Sequence, residues 1–260
     1  MTAVAVTEAD VETRFEPTRR IDWKMLVLPP AALALLSLAL WWYVASSDKI
    51  FQVESALDWD NKLWPQIQEH VALTFWSTFW VLVVAIPVGI LLTRPRLRRL
   101  GNPVLSIVNS GQAFPAYGLL VLMYTWLGRG FRASMIGLTF FTLLPVLRNT
   151  MVGLDQVDKP TIEAGRGMGM TRWQVLTKIE LPLAVPVILA GVRTALVINV
   201  GTATLAVFIG GGGLGETINS GLKLNQNLTL ITGSAITALL ALTIDWLASV
   251  AERVLRPRGL

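Results

Sequence analysis

Six apolar stretches, each long enough to cross a lipid bilayer, divide this chain and decide most of what it can become. A bilayer core takes about 20 apolar residues per helix. The stretches are Met25–Ala45, Val71–Leu92, Val104–Leu127, Ala133–Leu154, Leu183–Ile209 and Leu228–Val250. Of the 260 residues, 53% are hydrophobic and only 15% charged, too little charge to cover a water-facing surface of this size. The expected fold is an all-α integral membrane protein with six transmembrane helices.

The 22 lysines and arginines then choose an orientation, because Lys and Arg collect on the cytoplasmic side. With the N-terminus inside, sixteen of them fall at inner ends: Arg14, Arg19, Arg20, Lys24, Arg94, Arg96, Arg98, Arg99, Arg148, Lys159, Arg166, Arg172, Lys178, Arg253, Arg256 and Arg258. Five fall outside: Lys49, Lys62, Arg129, Arg132 and Lys223. Arg193 lies inside the fifth stretch. This sorting accounts for the net charge of +5 without a nucleic-acid partner. Both termini are therefore expected in the cytoplasm of a bacterial cell, with the chain multi-pass in the inner membrane. Residues 1–24 carry both charge signs, unlike the basic start of a signal peptide, and are expected as a poorly ordered tail. Residues 46–70 form an extracytoplasmic loop whose Trp59 and Trp64 suit the headgroup level. Residues 71–251 make the five-helix core, and 252–260 a second tail.

Much chemistry is excluded. The chain has no Cys and one histidine, His70, which leaves no disulfide, thiolate or His-based metal site. Read from Gly165, a GxGxxG motif fails at Met170. Gly210–Gly213, followed by Leu214-Gly215-Glu216, lack the Lys-Ser/Thr of a phosphate loop and read as a flexible turn. An intramembrane enzyme would need a nucleophile with a base, paired carboxylates or a metal set at depth. Apart from Arg148, counted above with the inner ends, the charges inside a span are Arg193 and Asp245. Both fall in the inner half of the membrane, where a structural ion pair between the fifth and sixth stretches is expected; separate snorkelling to the interface is the alternative. A receptor without a pore fits poorly with the polar content of stretches three and five.

One polar segment interrupts the apolar run, TIEAGRGMGMTRWQVLTKIELP, residues 161–182. Asp158 and Pro160 mark a helix start, and the glycines end that helix near Gly169. Thr171 and Gln174 fit a capping box for a second helix, presenting Trp173, Val175, Leu176 and Ile179 and stopped by Pro182. Ala164, Gly165, Gly167 and Gly169 would let a second backbone come close, and Met168 and Met170 would fill irregular grooves. Two short helices fixed to two spans make a lever.

The pattern Glu163-Ala164-Gly165, then Gly169, then Ile179-x-Leu181-Pro182, resembles the EAA loop of permease subunits of bacterial ATP-binding cassette importers. Gly165 stands where that family usually has Ala. The resemblance covers about residues 71–250. It implies that the loop at 155–182 is a coupling helix docked in a cassette ATPase through Glu163, Ala164, Gly165, Gly167, Met168, Gly169, Ile179, Leu181 and Pro182. It also implies a second permease, copy or paralogue, and an extracytoplasmic solute-binding protein. ATP and magnesium would belong to the partner ATPase, with no cofactor in this chain. The wider run, LLPVLRNTMVGL and then GMGMTRWQVLTKIELPLAVPVILAGVRTALVINVGTATLAVFIGGGGLG, is similar to permeases of the osmoprotectant branch, which carry glycine betaine, choline or carnitine. Another small solute, such as an amino acid, a sulfonate or nitrate, is the alternative.

Polar residues at depth mark a candidate translocation path: Asn109, Gln112, Phe114 and Tyr117 in the third stretch, and Asn199, Thr202, Thr204 and Phe208 in the fifth. Pro115 permits a broken helix among them. The lining holds no formal charge, which suits a zwitterion or a delocalised cation, and a quaternary ammonium can rest on aromatic faces. Helix packing is the competing role for each aromatic.

Overall fold

The computed structural model describes residues 23–255, and among these every regular element is helical. The tails expected at 1–24 and 252–260 lie largely outside them. α1 (Trp23–Ser46) is followed by a short α2 (Phe51–Ala56) and a π turn at Trp59–Leu63. The long α3 (Trp64–Thr93) begins seven residues before the expected second span. The segment 46–70, expected as an extracytoplasmic loop, is thus largely helical. Its π turn is capped by Asp58, whose Oδ1 accepts the Asp60 and Asn61 N–H groups and whose Oδ2 accepts from the Asn61 amide. Those bonds, the Asn61 side chain's first, hold the Asp58 carboxyl below the ordinary carboxylate range.

The third stretch is not one helix. α4 (Gly101–Ala113) and α5 (Ala116–Leu127) meet at 97°. The ring of Pro115 disfavours the helical region for the residue before it, and Phe114 is extended (φ −69°, ψ 137°). The two halves count as a sixth span only when taken together; among the described residues five other helices are long and apolar enough to cross.

α6 (Phe131–Asp155) is the centre of the bundle, packed between α3 and α9 (Leu181–Ala203). Three apolar clusters stack along it. Leu73, Leu120, Leu138 and Ile209 fill one end, Val81, Val146, Leu147 and Ala195 the middle, and Leu154, Leu176, Ala184 and Ile188 the other end. Small residues set the helix spacing, as they do where lipid tails compete with side chains for contact. A Cβ on Gly89 would stand 2.7 Å from the Thr150 methyl, and one on Gly191 would stand 2.8 Å from the Pro145 carbonyl oxygen. α11 (Asn227–Leu255) packs on α9, and α1 lies against α11 with its apolar side chains exposed. A face of that composition suits lipid.

The Gly210–Gly213 run is packed rather than flexible. The 3-10 segment Thr204–Ile209 extends α9, and Gly210 closes it at φ +74°. Gly211 donates to Ala206 O, and Gly213, at φ +87°, donates to Glu69 Oε2. A Cβ on Gly213 would approach the His70 ring at 3.1 Å. Glycine is needed there for both backbone and space. Gly213→Ala should lower the unfolding free energy by about 1–2 kcal/mol, read from thermal unfolding in detergent. An unchanged melting curve would restore the flexible-turn reading.

Candidate functional site

The polar hairpin forms as two short helices, α7 (Lys159–Gly167) and α8 (Arg172–Val175). Its turn uses Gly169 at φ +84°, a conformation that side chains resist. Thr171 Oγ1 accepts the Gln174 N–H at 3.3 Å while Gln174 Oε1 accepts the Thr171 N–H at 2.8 Å, the reciprocal box that its spacing predicts. Asp158 holds the N-cap position of α7, but its carboxylate reaches the Thr161 hydroxyl at 3.4 Å instead of a backbone N–H.

Pro182 does not stop the second helix. α8 runs through a π turn, Leu176–Glu180, directly into α9, so one continuous helix extends from Arg172 to Ile209. A proline lacks the N–H for the bond four residues back, and its ring crowds that carbonyl. The wider π register at 176–180 relieves both, and Pro182 then sits in the first turn of α9. The hairpin is therefore joined to α9 by unbroken helical backbone.

Its surface is open. Glu163, Ala164, Met168 and Trp173 are exposed, Met168 and Trp173 by 72% and 71%, and nothing lies within 4 Å of a Cβ built on Gly167 or Gly169. Two large apolar side chains among small residues, at the end that the charge count assigns to the cytoplasm, make a surface fit for close docking. Gly165 is buried, and a Cβ there would meet the Ile179 δ-methyl at 2.5 Å. That methyl fills the room an alanine would take. Ile179, Leu181 and Pro182 are half-buried and face the bundle more than the docking surface.

At the α4–α5 break, Asn109, Phe114 and Tyr117 are exposed, and Phe208 stacks on Tyr117 edge to face with centroids 5.1 Å apart. Gln112 and Thr202 are half-buried with their polar groups engaged: the Gln112 amide donates to Phe141 O, and the Thr202 hydroxyl to Ile198 O. Thr204 turns back to Gly201 O. Asn199 is placed elsewhere. It is fully buried, and its amide donates to Ser77 Oγ at 2.6 Å, Thr78 Oγ1 at 2.9 Å and Thr74 O at 3.3 Å. Those acceptors engage its N–H groups within the bundle, while its buried Oδ1 has no partner, so Asn199 links α9 to α3 and does not line the open face at the break.

Asn199 belongs to a polar seam that sequence reasoning missed. Gln66, His70, Thr74, Ser77 and Thr78 line one buried face of α3. His70 Nε2 donates to Val200 O at 2.9 Å, since a carbonyl can only accept, and Thr217 donates to Gln66 Oε1. The signal was present: these residues recur at spacings of four, four, three and one along an apolar helix, which marks a single face.

Arg193 and Asp245 meet in a two-pronged ion pair, Nε to Oδ1 at 2.5 Å and Nη2 to Oδ2 at 2.7 Å. Arg94 and Glu180 make a second pair at 2.5 Å, and Arg98 and Asp155 a third at 3.2 Å. Neither of these two was expected from the sequence.

Among the described residues, a bundle of five long helices and one broken pair, with an exposed polar hairpin at one end and an open, aromatic-lined face at the break, has the architecture of a membrane transport subunit. The chain belongs to the family of binding-protein-dependent transport system inner membrane components, matched over residues 85–258. It is thus an inner-membrane permease subunit and not an enzyme. Among its relatives is the glycine betaine/carnitine/choline transport system permease protein OpuCB of Bacillus subtilis (strain 168), 40% identical over 192 residues, 74% of this chain and 88% of that one. Another is the osmoprotectant import permease protein OsmY of Salmonella typhimurium, 45% identical over 190 residues, 73% and 80% of the two chains. A solved structure titled as an inward-facing conformation of the MetNI methionine ABC transporter superposes with a TM-score of 0.66 at 27% identity, covering 75% of this chain and 96% of that one.

Proposed function

We propose that this chain is the permease subunit of an ATP-driven importer and carries a quaternary-amine osmoprotectant such as glycine betaine, choline or carnitine. The observation that carries the reading is similarity, at 37–45% identity over about three-quarters of the chain, to permeases named for those solutes or for an osmoprotectant. The site is chemically compatible. Tyr117 and Phe208 offer ring faces to a trimethylammonium group, and no formal charge among the path residues would trap it. In this reading the hairpin is cytoplasmic and docks on a cassette ATPase, which binds the ATP and magnesium. A second permease covers the open face, and a solute-binding protein delivers cargo from outside. Both termini lie in the cytoplasm, as the positive charges favour.

The test is uptake by proteoliposomes containing the permease, its ATPase and its binding protein. ATP-dependent accumulation of labelled glycine betaine, choline or carnitine, with methionine as control, is expected. Methionine uptake alone would move the substrate to the amino-acid class.

The path has its own test, made clean by the absence of Cys. Single Cys probes at Asn109 and Phe208 should react with small water-soluble thiol reagents in the assembled transporter. A probe at Leu35, 68% exposed on the face of α1 assigned to lipid, should not. Equal protection at all three positions would overturn the placement.

A further inference from the structure

The hairpin is covalently continuous with α6 and α9 only, yet it is also tied to α3. Arg94 is the first residue beyond α3 and has left the helix (φ −76°, ψ 144°). Its side chain folds back. Nε donates to Ile90 O at 3.2 Å, and Nη2 donates to Thr93 Oγ1 at 3.1 Å and to Glu180 Oε2 at 2.5 Å. One guanidinium thus closes the end of α3 and grips a residue 86 positions away. Glu180 is 5% exposed, and it is the last residue of the π turn at the root of the hairpin. Leu176 of the same turn is buried against Leu154, Ala184 and Ile188.

Stability alone is a poor reason for this pair. Two well-packed apolar side chains commonly do as well as a buried ion pair, because the charges must be desolvated. What the pair adds is a directional link between the end of α3 and the π turn, which apolar packing alone does not give. A π turn is an over-wide, easily re-registered segment, often found at functional positions. Ile86 and Ile90 of α3 also rest on the cluster around Leu176, but that apolar contact is non-directional and can slide, so without Arg94 the end of α3 would follow the hairpin only loosely. With it, the end of α3 follows the π turn, or the pair breaks. Arg98 and Asp155 make a parallel but exposed link between the segment after α3 and the end of α6, which solvent weakens.

We propose that Arg94 and Glu180 form a latch that transmits hairpin movement to the end of α3, so that α3 moves in step with α6 and α9 when the ATPase acts. Both are positioning residues. The inference rests on the coupling role proposed for the hairpin, and it names the contact through which that role reaches the second span.

The experiment uses the complete reconstituted importer and measures uptake and ATP hydrolysis on the same preparation, normalised to assembled complex. Glu180→Gln keeps the shape and one acceptor and removes the charge. It should leave basal hydrolysis near wild type and lower solute moved per ATP by at least about fivefold, the lower range of allosteric coupling. Arg94→Lys, which keeps charge but loses the fork, should fall between. If Glu180→Gln blocks assembly, Arg94→Lys carries the same test. Uptake and hydrolysis falling together in either variant, or a ratio that stays at wild type, overturns the latch. Wild-type complex that shows no ATP-dependent uptake would instead overturn the transport reading itself.

Discussion

Gly169→Val should leave the permease in the membrane and the ATPase active, while uptake per ATP falls by about tenfold or more. Gly169 turns the hairpin at φ +84° with no neighbour within 4 Å of its Cβ position. A β-branched residue there is a backbone outlier costing about 1–2 kcal/mol. The strain falls on the turn that sets the angle between α7 and α8, and little else in the chain feels it. A docking surface whose angle is wrong loses its differential contact with the two states of the ATPase, and coupling energies of about 1–3 kcal/mol correspond to roughly 5- to 150-fold effects. Gly167→Val separates the two ways this can fail. Gly167 is helical and equally open, so its valine adds bulk without a left-handed backbone. Loss of coupling in both variants points to close docking across the small-residue face. Loss only at Gly169 points to turn geometry. Glu163→Lys, a charge reversal on the same exposed face, should also uncouple. Wild-type uptake per ATP in all three variants would remove the hairpin from the coupling path.

How legible this was in the sequence follows from the range of each interaction. The hairpin reads well because its signals are local: the capping box needs only Thr171 and Gln174, and the turn only its glycines. The spans read well because lipid demands a minimum apolar length. What escaped depends on contacts between distant segments. Pro182 reads as a stop, yet a π turn carries the helix past it. The glycines at 210–213 read as a loose connection, yet Glu69 and His70 of α3 fill the space beside them. Asn199 reads as a pore residue because a polar group at depth must face something. Which surface it faces is set by Ser77 and Thr78, more than a hundred positions earlier. Arg94 reads as one of several positive charges at a helix end, and only its distance to Glu180 separates it from Arg96 and Arg99.

Arg193→Ala and Asp245→Ala should each destabilise the protein strongly, and the double variant should recover part of the loss. The pair joins α9 to α11 with two parallel charge-assisted bonds, the geometry in which arginine outperforms lysine. Breaking a buried pair by removing one partner costs about 3–5 kcal/mol, because the other charge is stranded. The Arg193 and Asp245 side chains keep 39% and 30% of their surface open in this chain, in a shallow pocket that Thr194, Val197 and Ile198 of α9 also line. That exposure lowers the expected single-variant cost to about 2 kcal/mol if water reaches the site. If lipid or a second permease covers it, the full range applies, since neither solvates a lone charge. Removing both charges strands nothing, so the double variant should be less damaged than the sum of the singles by about 1–2 kcal/mol, a coupling of ordinary size for residues in contact. Arg193→Lys tests the fork, since a single ammonium keeps the charge and loses one of the two bonds. Thermal unfolding of the detergent-solubilised protein reads all four variants. Strictly additive losses would mean that each side chain reaches its own solvent or backbone partner and that α11 is held on α9 by apolar packing alone.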